Sequence, residues 1–249
     1  PANFTAAGYT VPTTWAELDA LVEQMAADGN VARSMDFESG DATGWTGTDF
    51  VQDILLVTQG PDYVSKIIAG EIAYNDAGVK EAYEIYGKWA MDPAYTVAGA
   101  EGTLSTGFND AILKVFSDTP EAYMVKQSGF ASGTLLGTYP DKVYGVDYDF
   151  FGVPGAQGLQ GGSDWLMVFN DTPAIRSLIK YLSSDKGGQM WAQVGFDLTP
   201  NAAGNASYAS EEAVKKATLL SSATGFTPDI GDSIPGGFGS AEFSGITDF

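Results

Sequence analysis

Apolar positions recur at helical spacing through much of the chain. Leu18, Leu21, Val22 and Met25 return every three or four residues, the spacing of one face of a helix. Thr14 stands at the N-cap position, Glu17 three residues on completes a capping box, and Gly29 ends the run. A polar, Gly-rich loop over 38–47 carries Trp45. It predicts a second helix from about Thr48, whose hydroxyl is placed to cap it, through Ile54, Leu55 and Val57 to Gly60. Asp76 opens a third helix with Val79, Ala82, Tyr83, Tyr86, Trp89 and Ala90 on its apolar face, a register that makes Trp89 a core residue. A short helix ends in AILKVF within 103–116, and residues 123–125 read as a strand that turns into a polar helix start at Lys126 and Gln127. Thr172 and Pro173 open a helix with Ile175, Leu178, Ile179 and Leu182 on one face. Asp185 caps another that ends near Trp191, 211–221 is a further helix, and 236–249 is a Gly-rich aromatic tail.

Two apolar runs, 148–153 and 165–169, have the β-branched and aromatic make-up of short buried strands. The connection between them is Gly, Gln, Pro and Ser without an apolar anchor, which suits a passage from one body of the protein into another. A ligand then belongs in the cleft between the bodies. Strands alternating with helices place the chain in the α/β class.

Composition narrows the chemistry. At 249 residues and 44% hydrophobic content the chain has the material for one large or two small cores. The longest apolar runs fall far short of the roughly 20 residues that span a bilayer, so no membrane insertion is expected. No charged-then-apolar leader opens the sequence, and Pro1 points to a processed, trimmed or incomplete chain. The net charge of −20, from 32 acidic and 12 basic residues, repels nucleic acid phosphates and anionic lipid; as a solvated surface it suits life outside the cytoplasm or in salt. Cys and His are both absent, which excludes disulfides, zinc–thiolate sites, Cys nucleophiles and His general bases. Carboxylates, Lys, Tyr and oxygen-ligated metals remain.

The motifs weigh little as catalytic signatures. GGFG at 236–239 lacks the Lys–Ser/Thr of a phosphate loop, and Asp147 with Asp149 lacks the rest of an EF-hand, so no cofactor or metal is expected. A carboxylate pair for glycoside hydrolysis has no defined acid and nucleophile context. More informative are aromatics in loops and beside Gly: Trp45 after Gly44, Tyr123 leading to Lys126, Trp165 after GGSD, and Phe238 and Phe243 in the tail. Either they fill the core or, as a set, they stack on a neutral, hydroxyl-rich ligand whose hydroxyls Asp, Gln and Lys satisfy.

The stretch PTTWAELDALVEQMAADG resembles the helix after the first interlobe crossing in extracellular solute-binding proteins of sugar ABC transporters, which share the fold of the maltose-binding protein. DATGWTGTDFVQDILLVTQGP, AEGTLSTGFNDAILKVF and GGSDWLMVFNDTPAIRSLIKYLSSDKGGQMWA extend the likeness over nearly the whole chain, with the α-glucoside-binding subgroup the nearest. The resemblance implies a two-lobe type II α/β fold, here without most of the first lobe and the C-terminal helices. In that scheme 1–161 is the second lobe, 162–199 a returning segment of the first, and 200–249 the second lobe again. It also implies a non-enzymatic, extracytoplasmic protein, periplasmic or lipid-anchored, that captures an α-glucoside or short oligosaccharide by hinge closure and hands it to an ABC permease. Carried over by position, Trp45 and Asp49 face the sugar; Tyr123, Lys126 and Gln127 stack and hydrogen-bond; Asp164 and Trp165 floor the cleft; Phe243 stands where relatives place a stacking Trp. A carboxylate-dependent glycoside hydrolase and a sugar-sensing module on the same fold are the alternatives.

Overall fold

The computed structural model describes residues 1–163, 165–195 and 197–249. In chain order its elements are α1 (Ala2–Ala7), α2 (Trp15–Ala27), β1 (Arg33–Ser34), α3 (Trp45–Thr58), α4 (Pro61–Ile68), α5 (Ala77–Met91), α6 (Gly99–Ser105), α7 (Phe108–Phe116), β2 (Met124–Val125), α8 (Ala131–Thr138), β3 (Leu159–Gly161), α9 (Pro173–Leu182), α10 (Asp185–Val194), α11 (Glu211–Ser222), β4 (Phe226–Pro228), α12 (Ile230–Ser233) and α13 (Phe238–Asp248). They form two compact units: Pro1–Gly162 with Ala223–Phe249, and Ser163–Ser222.

The first unit is built around α3, which packs against α4, α5, α13 and β3. Its Phe50, Val51, Ile54, Leu55 and Leu56 are buried with the apolar faces of α2 and α5. Trp89 is only 1% exposed and stacks on Trp15 at 4.9 Å, as its register requires. The caps read from the sequence are present. Glu17 N–H donates to Thr14 Oγ1 at 3.2 Å while Glu17 Oε2 accepts from Thr14 N–H at 3.1 Å, and Asp76 accepts from Gly78 N–H at 3.1 Å. Two short parallel pairs run through this unit, Arg33–Ser34 beside Met124–Val125 and Leu159–Gly161 beside Phe226–Pro228. Gln52, buried on α3, fastens the second pair: its Nε2 donates to Thr227 Oγ1 at 3.2 Å and the Pro228 carbonyl at 2.9 Å, and its Oε1 accepts from Ile230 N–H at 2.9 Å. A smaller cluster of Ile112, Leu135 and Tyr148 lies under α7 and α8.

In the second unit α10 packs closely on the turn of 3-10 helix Ala202–Ser207, with Gly188 lying against Asn201. Thr199 N–H donates to the Tyr208 hydroxyl at 2.8 Å. Thr172 caps α9, accepting from Ile175 N–H at 3.3 Å, with Pro173 in its first turn. No residue of α9 is buried.

Several local expectations are corrected. Neither 148–153 nor 165–169 forms a strand. Tyr148 makes only an isolated bridge to Tyr144, and in the second run Trp165 is 82% and Phe169 88% exposed. Apolar, β-forming composition makes a strand only where a neighbouring edge accepts its backbone bonds, and among the described residues neither run is part of a strand ladder. α3 starts at Trp45, not Thr48, because Gly44 adopts φ 106° and turns the chain directly into the helix. Thr48 instead donates to the Trp45 carbonyl at 3.0 Å. A Cβ at Gly44 would collide with the Phe243 carbonyl, so glycine is required there twice over. Lys126 and Gln127 lie on a loop before α8, Ser184 rather than Asp185 caps α10 through Gly187 N–H at 3.2 Å, and the Gly-rich tail folds as α13.

Candidate ligand-binding site

The carboxyl ends of a parallel strand pair are where α/β sheets present side chains to ligands. Beyond Ser34 the chain delivers Asp36, and beyond Val125 it delivers Lys126 and Gln127. Alongside runs α3, with Asp49 and Asp53 one turn apart on the same face. Lys126 Nζ lies 3.2 Å from Asp53 Oδ2 and 4.0 Å from Asp49 Oδ2. Burial alone lowers the Lys126 pKa, but Asp53, Asp49 and Asp36 together outweigh it and raise it, so the ammonium stays charged. Burial raises Asp53 against the pull of Lys126. Burial also pushes Asp36 up to about 7, with Thr46 and Lys126 opposing. Asp49 is pushed up to about 7, again by burial first, with Lys126 opposing and Asp229 and Asp53 adding to the rise.

Polar capacity is left over at these strand ends. Ser34 Oγ, Asp36 Oδ1 and Gln127 Nε2 are buried without a hydrogen-bond partner, an arrangement that favours a ligand hydroxyl or an ordered water. One side is aromatic: Trp45, Phe108 and Phe130 are half-buried, with ring centroids 5.8 Å (Trp45–Phe108), 6.3 Å (Trp45–Phe130) and 6.0 Å (Phe108–Phe130) apart. Such an arrangement offers flat apolar faces beside fixed donors and acceptors, which suits a neutral ring bearing hydroxyls.

Of the residues singled out from the sequence, Asp49, Lys126 and Gln127 come together here, with Trp45 one turn before Asp49 on α3. Tyr123 packs edge-on against Tyr9 at 5.3 Å and Phe4 at 6.1 Å, on the hydrophobic core. Phe243 lies on α13 with its backbone carbonyl against Gly44. Trp165 belongs to the second unit, and Asp164 lies outside the described residues. Asp36, Asp53, Phe108 and Phe130 were not singled out. Asp53 had a signal, its four-residue spacing from Asp49; Phe108 and Phe130 reach Trp45 only through tertiary packing. Asp147 Oδ2 accepts from Val143 N–H at 2.8 Å and Asp149 Oδ1 from Phe150 N–H at 2.7 Å, so both serve local turns. Among the described residues no group of three or more acidic side chains is placed to hold a metal ion, and no helix is long and apolar enough to cross a membrane.

No protein-family model matches the chain. Over 256 residues it is 34% identical to the osmoprotective compounds-binding protein of Synechocystis sp., covering all of this chain and 60% of that protein. Over 260 residues it is 36% identical to the α-glucosides-binding periplasmic protein of Rhizobium meliloti, covering all of this chain and 56% of that one. The chain thus spans somewhat over half the length of these curated relatives. Among solved structures, the bacterial solute receptor AcbH, described as preferring β-D-galactopyranose exclusively, superposes with a TM-score of 0.70 at 18% identity over 98% of this chain and 61% of that one. A chitin oligosaccharide binding protein gives 0.69 at 15% identity over 98% of this chain and 66% of its own. These two structural likenesses speak for the fold alone, that of the two-lobe type II solute-binding proteins. The curated relatives bear out the resemblance to solute-binding proteins of sugar transporters read from the sequence.

Proposed function

We propose that this chain is the ligand-holding part of an extracytoplasmic binding protein that takes an α-glucoside or short neutral oligosaccharide and presents it to an ABC permease. The observation that carries this reading is the half-buried aromatic trio beside the Lys126–Asp49–Asp53 group at the strand ends. Aromatic faces take the apolar face of a sugar ring, while unpartnered Ser34, Asp36 and Gln127 atoms offer bonds to its hydroxyls. The pairing of Asp49 and Asp53 with Lys126 supports binding over hydrolysis, since it engages both carboxyls with a cation. The binding-protein names of the curated relatives support the same view, and a periplasmic relative supports placement outside the cytoplasm, free or lipid-anchored. We read 1–161 and 200–249 as second lobe and 162–199 as a returning piece of the first. In support, a separate unit begins at Ser163, although it continues to Ser222.

The test is calorimetric and fluorescence titration of the chain with maltose, trehalose, sucrose and a sugar phosphate. Saturable binding of a neutral glucoside, weakened by Trp45→Ala and Phe130→Ala and accompanied by no released glucose, supports the reading. Binding unaffected by both substitutions removes this site from it, and glucose release replaces it with hydrolysis.

A further inference from the structure

Lys126 is the one basic side chain among the residues described at the candidate site, and a single turn of α3 closes on its ammonium. Asp53 Oδ2 lies 3.2 Å from Nζ and Asp49 Oδ2 4.0 Å, with the centroid of the Phe50 ring at 6.0 Å. A third carboxyl, Asp36 beyond β1, is near enough to act on the same charge. Asp53 is buried, and the Lys126 and Asp49 side chains are only 22% and 17% exposed, so solvent screens the group poorly. Other cations of the first unit are engaged elsewhere: Lys88 with Asp19 and Glu23, Lys114 with Glu121, and Arg33 over the Trp89 ring.

We infer that Asp53, with Asp49, sets the charge class of the ligand: the pair cancels Lys126, so the site takes uncharged sugars and turns away sugar acids and sugar phosphates. This rests on the sugar-binding reading above and names the residues that fix its substrate class. A lysine without carboxylate partners is an anion receptor, because its compact charge suits phosphate and carboxylate. Here an incoming anion meets three carboxyl groups for one ammonium, and the repulsion exceeds the attraction. A neutral hydroxyl meets no such repulsion. An ammonium has three N–H donors, so Lys126 keeps one for a hydroxyl oxygen after serving two carboxylates. The uncharged groups nearby suit the same ligand. Gln127 Oε1 accepts from Ser128 N–H at 3.0 Å, which leaves its Nε2 as a donor, and Asp36 Oδ1 remains as an acceptor for a hydroxyl.

The test has a sugar arm and an ion arm, both on the whole chain at about pH 8, where ordinary carboxylates are ionised. In the first, trehalose, sucrose and the 6-phosphate of each are titrated calorimetrically. In the second, sulfate is titrated and followed by NMR at the Lys126 side chain. The wild type is expected to bind a 6-phosphate about a hundredfold more weakly than its neutral parent, and to show no saturable sulfate shift at Lys126. Asp53→Asn, alone and combined with Asp49→Asn, should raise the affinity for the 6-phosphate relative to its parent by about tenfold for each carboxylate replaced. Both variants should give a saturable sulfate shift, which Lys126→Gln added to the double variant abolishes. The ion arm needs no sugar, so the two readings fail separately. Neutral sugars that do not bind refute the sugar-binding reading, whereas saturable sulfate binding at wild-type Lys126 refutes the charge assignment. Equal binding of 6-phosphate and parent by the wild type also overturns it, as does unchanged discrimination in the folded variants. If neither variant folds, the wild-type sulfate titration decides.

Discussion

Helices α5 and α9 are drawn to the same plan and meet different fates. Each opens on a side-chain cap, Asp76 in one and Thr172 in the other, and each carries an apolar stripe at helical spacing. In α5 the stripe is sunk against α3, and Tyr86 and Trp89 are among the largest fully buried side chains. In α9 nothing is buried, and Leu178 remains 50% exposed. An apolar stripe therefore states what a helix face requires and says nothing of whether the requirement is met. Its stabilising effect, about 25 cal/mol per Å² removed from water, exists only where a partner surface removes the water.

The contrast can be broken or sharpened by experiment. The largest effect belongs to the covered face: Trp89→Ala removes the stack on Trp15 and the ring under Arg33, and is expected to cost about 3–5 kcal/mol in urea unfolding. A broader pH effect runs through the same unit. Asp36, Asp49 and Glu242 are each raised to about 7 by burial, so the folded chain holds protons that the unfolded chain releases from about pH 4 upward. Their contribution is complete below about pH 4 and lost as pH rises through 7. Urea midpoints should fall between pH 5 and 8, by about 1.4 kcal/mol for each unit by which one carboxyl is displaced. A midpoint that rises over this interval contradicts the burial of these groups.

Smaller effects follow. Trp45→Ala should weaken glucoside binding about tenfold, near 1.4 kcal/mol, while changing the unfolding midpoint little, because the ring is only half-buried. Thr14→Ala breaks the capping box of α2 and should cost about 1 kcal/mol. The smallest change is expected where the pattern looks strongest: Leu178→Ser with Ile179→Ser should alter stability by about 0.5 kcal/mol or less. A loss comparable with that of Trp89→Ala would mean that the α9 face is covered in solution.

Most of the helices were legible because their information is local. Caps at Thr14, Asp76 and Thr172 and the apolar spacings of α2 and α5 lie within a few residues of one another. The strand expectations for 148–153 and 165–169 failed because strand formation depends on an edge elsewhere in the chain. The start of α3 was displaced by the φ of Gly44, which spacing alone does not encode. At the candidate site, Asp49 and Lys126 were legible as charges beside aromatics, but Phe130 joins Trp45 only once α8 is folded against α7, and Asp229 meets Asp49 across 180 residues of sequence. Contacts of that length are set by topology, which no local pattern reports.

The stack of Trp15 on Trp89 has an optical consequence. Two indole rings held 4.9 Å apart and 28° from parallel have strongly interacting transition dipoles, and the Arg33 guanidinium sits 3.7 Å over one of them. Their excited states mix, so the folded core should carry an exciton couplet in circular dichroism that no isolated tryptophan of this chain produces. The couplet reports the α2–α5 contact alone, because Trp15 and Trp89 come one from each of these helices.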